Sequence, residues 1–278
     1  MKKYISLLIL CFGFLFTSCE EVVEVDLDTA PAKLVIDANL YYDAANPNKP
    51  QVIKLSKTVG FYAADYDPVL DGKIWIEDEL GNAYEFVDLQ QNGSYSNLAF
   101  TMQLNTRYQL FVITEGQTYV SEANFFNTPE IVRVDQKDNG GLFGESYEFK
   151  IWFQDNPDQE NYYQLIDALD NKIKFGLQND IFSNGNLMNF IIIDSDSDSD
   201  TEEKIKPGES FDIYFSEVSK AYYLYMEKIL STSQNAGNPF APPMGEIRGN
   251  IINQTDSENY PLGFFSLQNT IHKVITVE

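Results

Sequence analysis

Cysteine is almost missing from this chain of 278 residues: there are two, Cys11 and Cys19, and none beyond. A stabilising disulfide framework is therefore excluded for everything after residue 19. Histidine is scarcer still, with His272 alone. One histidine and no thiol in the body of the chain rule out the commonest zinc sites and both the Ser-His-acid and Cys-His mechanisms. Basic residues number 19 against 42 acidic ones, a formal charge of −23. Such a surface repels phosphate backbones, so nucleic acid is excluded as a partner, and anionic lipid head groups are repelled for the same reason. Long apolar runs are absent past the first few residues, so no spanning helix is expected in the body. Neither a phosphate-binding P-loop nor a dinucleotide fingerprint occurs, and no cofactor is expected.

What is present begins at the N-terminus. Lys2 and Lys3 precede an apolar run from Ile5 to Phe16, broken by Ser6 and Gly13, and Thr17-Ser18 supply small residues before Cys19. This is the order of a secretory signal peptide over residues 1–18. Its ending at Cys19 resembles a bacterial lipobox, with Phe16 where Leu is commonest. Cleavage there removes Cys11 and leaves Cys19 as a single thiol, which lipidation accounts for. Two or three acyl chains, at roughly 0.8 kcal/mol per buried methylene, make a stable anchor where one chain does not. Residues 19–32 then read as an acidic tether. Glu20, Glu21 and Glu24 directly behind the lipidated cysteine resemble the signal that sends Bacteroidetes lipoproteins to the cell surface; the plainer reading is a charged, flexible leash.

From Lys33 to Pro129 short strands with partial alternation are separated by turn signals. Ile74 and Ile76 share a face, as do Tyr108, Leu110 and Val112, while Gly81-Asn82, Asn92-Gly93 and Glu115-Gly116 mark turns. That spacing predicts an immunoglobulin-like β-sandwich over 33–129. Residues 130–278 read as a second β-rich domain with one long helix over 216–231. There Val218, Tyr222, Tyr225 and Ile229 recur at helical spacing behind Ser216 as the candidate N-cap. Strands are expected to return over Glu246 to Ile252, Leu262 to Leu267 and Lys273 to Val277. The fold class is thus mainly β with one helix.

Candidate chemistry is sparse. Asp194, Asp196, Asp198 and Asp200 alternate with serines, and alternate oxygens suit a hard cation. An EF-hand loop wants Gly at its sixth position and Glu at its twelfth, and neither register here supplies them. The run therefore reads as a loop held open by like charges, with calcium ligation as the alternative. Adjacent aromatic pairs recur, among them Tyr162-Tyr163, Tyr222-Tyr223 and Phe264-Phe265, and where such a pair lies in a strand one member faces away from the core. Those members either form a binding surface or fill a second packed layer.

Cys19 to Leu27, followed by Lys33-Leu34-Val35-Ile36-Asp37, resembles the start of Bacteroidetes lipoproteins of domain of unknown function family 4249. Val52 to Ser56 resembles a strand of that family's first domain. Gly249-Asn250-Ile251-Ile252-Asn253 with Pro261 to Ser266 is similar to its C-terminal signature. Gly249 and Gly263 suit tight turns or close backbone approach in the closing strands. The resemblance implies a lipid-anchored outer-membrane protein of two β-rich parts, whose relatives are often encoded beside TonB-dependent β-barrel transporters. It carries no catalytic residues. The resulting expectation is a non-enzymatic accessory or ligand-capture partner of such a transporter. The alternatives are a stand-alone glycan- or peptide-binding adhesin and, behind it, a carboxylate-pair surface hydrolase.

Overall fold

Alternation of apolar and polar residues builds most of the strands. In β7 (Thr106–Thr114) Tyr108, Leu110, Val112 and Thr114 are buried while their neighbours are not. β8 (Gln117–Phe125) folds back on it through Glu115-Gly116, both with positive φ, the backbone of a two-residue primed hairpin turn. The computed structural model describes residues 31–60, 63, 65–141, 144–169, 172–194, 205–234 and 246–278.

β7 and β8 join β4 (Lys73–Asp78) and β5 (Ala83–Phe86) in one layer. Against it lie β1 (Leu34–Asp43), β2 (Gln51–Lys57), β3 (Asp67–Pro68) and β6 (Ser94–Asn97). The first core lies between these layers, with Ile36, Leu40, Ile53, Leu55, Ile74, Ile76, Leu110 and Val112 almost wholly buried. A second core forms between two further layers. One is a three-stranded sheet of β9 (Ile131–Gly140), β10 (Ser146–Gln154) and β13 (Leu187–Ile193). The other runs through β12 (Lys174–Asn179), β11 (Tyr162–Asp167), β14 (Ser210–Val218) and β16 (Leu262–Thr276). Aromatic rings dominate this core: Phe153 meets Tyr163 and Phe215, each at 4.7 Å between centroids. Offset and edge contacts of this kind add about 0.5–1.5 kcal/mol per pair beyond area burial. The fold is mainly β, built as packed sheets, with one helix among the described residues.

β16 serves both cores. Its first part pairs in parallel with β1, from Leu262 opposite Val35 to Thr270 opposite Asp43. Its last part runs antiparallel to β14, from Thr270 opposite Ser216 to Thr276 opposite Ser210. Phe265 and Leu267 accordingly belong to the first core, Ile275 and Val277 to the second. Pro129 lies in the link between β8 and β9, where the chain passes from one core to the other. The later segment nonetheless returns Ile251, Phe265 and Leu267 to the first core, and Ala32–Glu278 forms one compact unit.

Two expectations about elements are corrected. The helix is α1 (Lys220–Gln234), not 216–231: Ser216 lies inside β14, and Ser219 Oγ caps the helix by accepting the Tyr222 N–H at 3.1 Å. Periodicity misleads there because β14 buries four consecutive residues, Phe215 to Val218, and loses its two-residue rhythm. The strand expected over Glu246 to Ile252 shrinks to β15 (Ile252–Asn253), paired with Val120 and Tyr119. The outward members of the aromatic pairs prove to be a second layer. Tyr222, Tyr223 and Met226 of α1 cover Tyr162, Val218 and Phe264, while Tyr163 and Phe265 face the cores. Gly249 and Gly263 do lie back to back: a Cβ on Gly249 would sit 1.7 Å from the Gly263 carbonyl oxygen. No helix among the described residues is long and apolar enough to cross a membrane.

Candidate functional site

Where the two cores meet, the end of β8, the β10–β11 connection and the last turn of β14 leave a cleft of about 500 Å3. Its lining has three parts. Carboxamides come from Asn105, Asn124, Asn127, Asn156 and Gln159, apolar walls from Phe125, Phe126 and Pro129, and the floor from Tyr163 and Glu217. The seam is tied by one hydroxyl: Thr128 Oγ1 donates to the Asn269 carbonyl at 2.5 Å and accepts the Glu217 N–H at 2.8 Å. Asn105 adopts a left-handed backbone and closes the β7–β8 end through its N–H to the Phe125 carbonyl, at 2.8 Å.

Glu217 is the one acid among the described lining residues and is only 7 % exposed. Asn161 Nδ2 donates to its Oε1 at 2.7 Å, and Gln159 Nε2 reaches the same oxygen at 3.3 Å. Behind it stand two more buried carboxylates. Asp155 accepts the Tyr163 hydroxyl at 2.5 Å and the Gly185 N–H at 2.7 Å. Asp180 is fully buried, and neither of its oxygens meets a donor in hydrogen-bond geometry among the described residues; nor does Asn161 Oδ1. Desolvation, reinforced by the charges of Asp155 and Asp180, pushes Glu217 up to about 7, against the pull of the Asn161 and Gln159 amides. Burial likewise raises Asp180, with the Asp155 charge adding to it. The Tyr163 hydroxyl is raised well above the usual phenol range by burial and by its bond to Asp155. Near neutrality the floor thus holds a proton or a negative charge at Glu217, with the two states close in energy.

The residues singled out from sequence lie elsewhere. Cys19, Glu20, Glu21 and Glu24 fall outside the described residues, as do Asp196, Asp198 and Asp200. Asp194 is described: it follows β13, is buried, and donates its N–H to the Tyr147 carbonyl at 3.0 Å. Among the described residues no group of three or more His, Cys, Asp or Glu side chains is placed to hold a metal ion. His272 is paired with Asp212 at 2.6 Å and stacked on Tyr214 at 4.7 Å, outside the cleft lining. Sequence reasoning misses Glu217, Asn161, Asp155 and Asp180. One weak signal is there to be found: Glu217 is an acid set between the apolar Phe215 and Val218 of a strand-like segment.

The profile of the domain of unknown function DUF4249 matches residues 20–273, and the chain belongs to that family. No curated protein matches it. Among solved structures, a two-domain fibronectin type III segment from chicken tenascin aligns over 67 % of this chain and 90 % of its own, at 10 % identity and a TM-score of 0.21. A pullulanase from Anoxybacillus, solved with maltotriose, aligns over 66 % of this chain and 24 % of its own, at 12 % identity and a TM-score of 0.21. A DUF4785 family protein from Legionella pneumophila aligns over 66 % and 51 %, at 10 % identity and a TM-score of 0.24. At scores this low they add nothing to the fold described above.

Proposed function

We propose that this chain is a surface-exposed outer-membrane lipoprotein of Bacteroidetes, tethered through Cys19, that captures a ligand for a TonB-dependent transporter and catalyses no reaction itself. The seam cleft is the observation that carries the capture role. Five carboxamides offer donors and acceptors side by side, and the Phe and Pro walls offer apolar contact, the composition of a site that holds a polar ligand. A carboxylate-pair hydrolase needs a second acid facing the first across the scissile bond, and Glu217 is the only acid among the described lining residues. The anchoring half rests on the signal-peptide order ending at Cys19 and on a family match that begins at residue 20. An acidic body repels anionic head groups, so acyl chains rather than surface charge would hold it at the membrane.

The test is affinity capture of the full chain from solubilised outer membranes, with Cys19→Ala as control. The expected result is a β-barrel transporter recovered with the native chain and a control chain lost from the membrane fraction. A native chain recovered alone, or a control that still partitions with membranes, would overturn the reading. Recovery alone together with glycan or peptide binding would instead favour the stand-alone adhesin.

A further inference from the structure

Among the described residues Glu217 has no cationic partner. Its hydrogen-bond donors there, Asn161 and Gln159, are neutral amides, and no Lys or Arg is among the described residues lining the cleft. The groups facing it from the surrounding segments deepen the deficit. Asp155 follows β10 and Asp180 follows β12, and both add negative potential at Glu217, while Tyr163 of β11 spends its hydroxyl proton on Asp155. The nearby Lys220 at the start of α1 is taken by Glu160, at 3.1 Å. Even the neutral amide beside it is short of donors, since Asn161 Oδ1 meets none among the described residues. A buried carboxylate with neutral partners, backed by two more acids, is held in a costly state that a positive group relieves.

We infer that the cleft selects ligands bearing a protonated amine, with Glu217 as the counter-ion and Phe126 as an aromatic wall. This rests on reading the cleft as a ligand site and names the chemistry of what enters it. Each candidate ligand charge has a different consequence. An anion meets Glu217 and the negative potential of Asp155 and Asp180 behind it, in a chain that is already acidic. A neutral polar ligand satisfies the carboxamides but leaves Glu217 uncompensated. An ammonium pairs with Glu217 in a partly desolvated place, where charge-assisted hydrogen bonds are about twice as strong as neutral ones. The half-buried Phe126 also lines that space, and ring faces attract cations within about 6 Å. Protons compete for the same oxygen, so amine binding strengthens as Glu217 ionises near neutrality.

The experiment is calorimetry on the full chain in mild detergent with four probes: acetyl-tetralysine amide, its fully ε-acetylated counterpart, spermidine, and a neutral oligosaccharide panel. Lysine amines stay charged between pH 5.5 and 8, so any pH response belongs to the protein. Binding of tetralysine at least tenfold tighter than its acetylated form is expected, with the preference growing from pH 5.5 to 8. In Glu217→Gln the preference should fall to within twofold, while circular dichroism reports an unchanged fold. Binding by spermidine as well would assign recognition to the ammonium itself; selectivity for tetralysine alone would assign it to a lysyl side chain. Both support the inference. A preference that survives in Glu217→Gln, or that vanishes in moderate salt in both proteins, would make it a property of the acidic surface and overturn the inference. Binding of neutral oligosaccharides but of no amine would also overturn it, leaving ligand capture intact. If nothing binds and no transporter is recovered, both readings fall.

Discussion

Glu217 shows how one side chain records its surroundings in its proton affinity. In the unfolded chain it titrates as an ordinary glutamate, whereas in the folded protein desolvation and the neighbouring Asp155 and Asp180 hold it near 7. A carboxyl raised on folding binds its proton more tightly in the native state. Its contribution to stability is therefore complete below the ordinary glutamate range and is lost as pH rises to about 7. Each tenfold change in proton affinity is worth about 1.4 kcal/mol, which makes the loss on the order of 3 kcal/mol at most. Asp180 and Asp167 are raised too, both chiefly by burial, and act in the same direction. Glu217→Gln should flatten the decline in urea stability between pH 5 and 8 and leave the variant more stable than the parent at pH 8. A slope unchanged by the substitution would show that the carboxyl is solvated. None of this is visible in composition, because 42 acidic residues make any single one anonymous. Only the three-dimensional approach of Asp155, Asp180 and Glu217, which lie on separate connections and strands, sets this one apart.

Elements are legible where burial is one-sided and illegible where it is not. β4 and β7 announce themselves by alternation because one face meets the first core and the other does not. β11 is buried on both faces, its Tyr163 and Leu165 in the second core and its Tyr162 beneath α1. β14 changes from one regime to the other at Phe215, which is why the sequence mimics a helix start at Ser216. The dual role of β16 is invisible along the chain, since parallel pairing with β1 joins residues more than two hundred positions apart. Its one glycine, by contrast, is readable. Gly263 has a φ of +99°, and a Cβ there would stand 2.0 Å from the Ile36 carbonyl oxygen, on the strand that β16 pairs with. Gly263→Ala should therefore cost about 2–4 kcal/mol, combining left-handed strain with overpacking, measured as a lower urea midpoint. A change within about 0.5 kcal/mol would mean that β1 and β16 do not approach so closely.

At the scale of the whole molecule, two packed β cores joined by one shared strand leave a cleft at their seam, built from segments far apart in sequence. That is why a sequence able to declare its fold class and its family resemblance is silent about where a ligand would enter. Asn105, Asn127, Asn156 and Gln159 in connections, and Asn124 near the end of β8, are unremarked amides until the fold turns them toward one space. Hydrogen exchange of the full chain with and without acetyl-tetralysine amide tests that space as the binding site most directly. The account expects exchange to slow at residues 124–129, at residues 156–163 and around Glu217, and to stay unchanged on the outer face where Trp75 stacks on Phe111. Slowing centred on that outer face, with none at the seam, would contradict it.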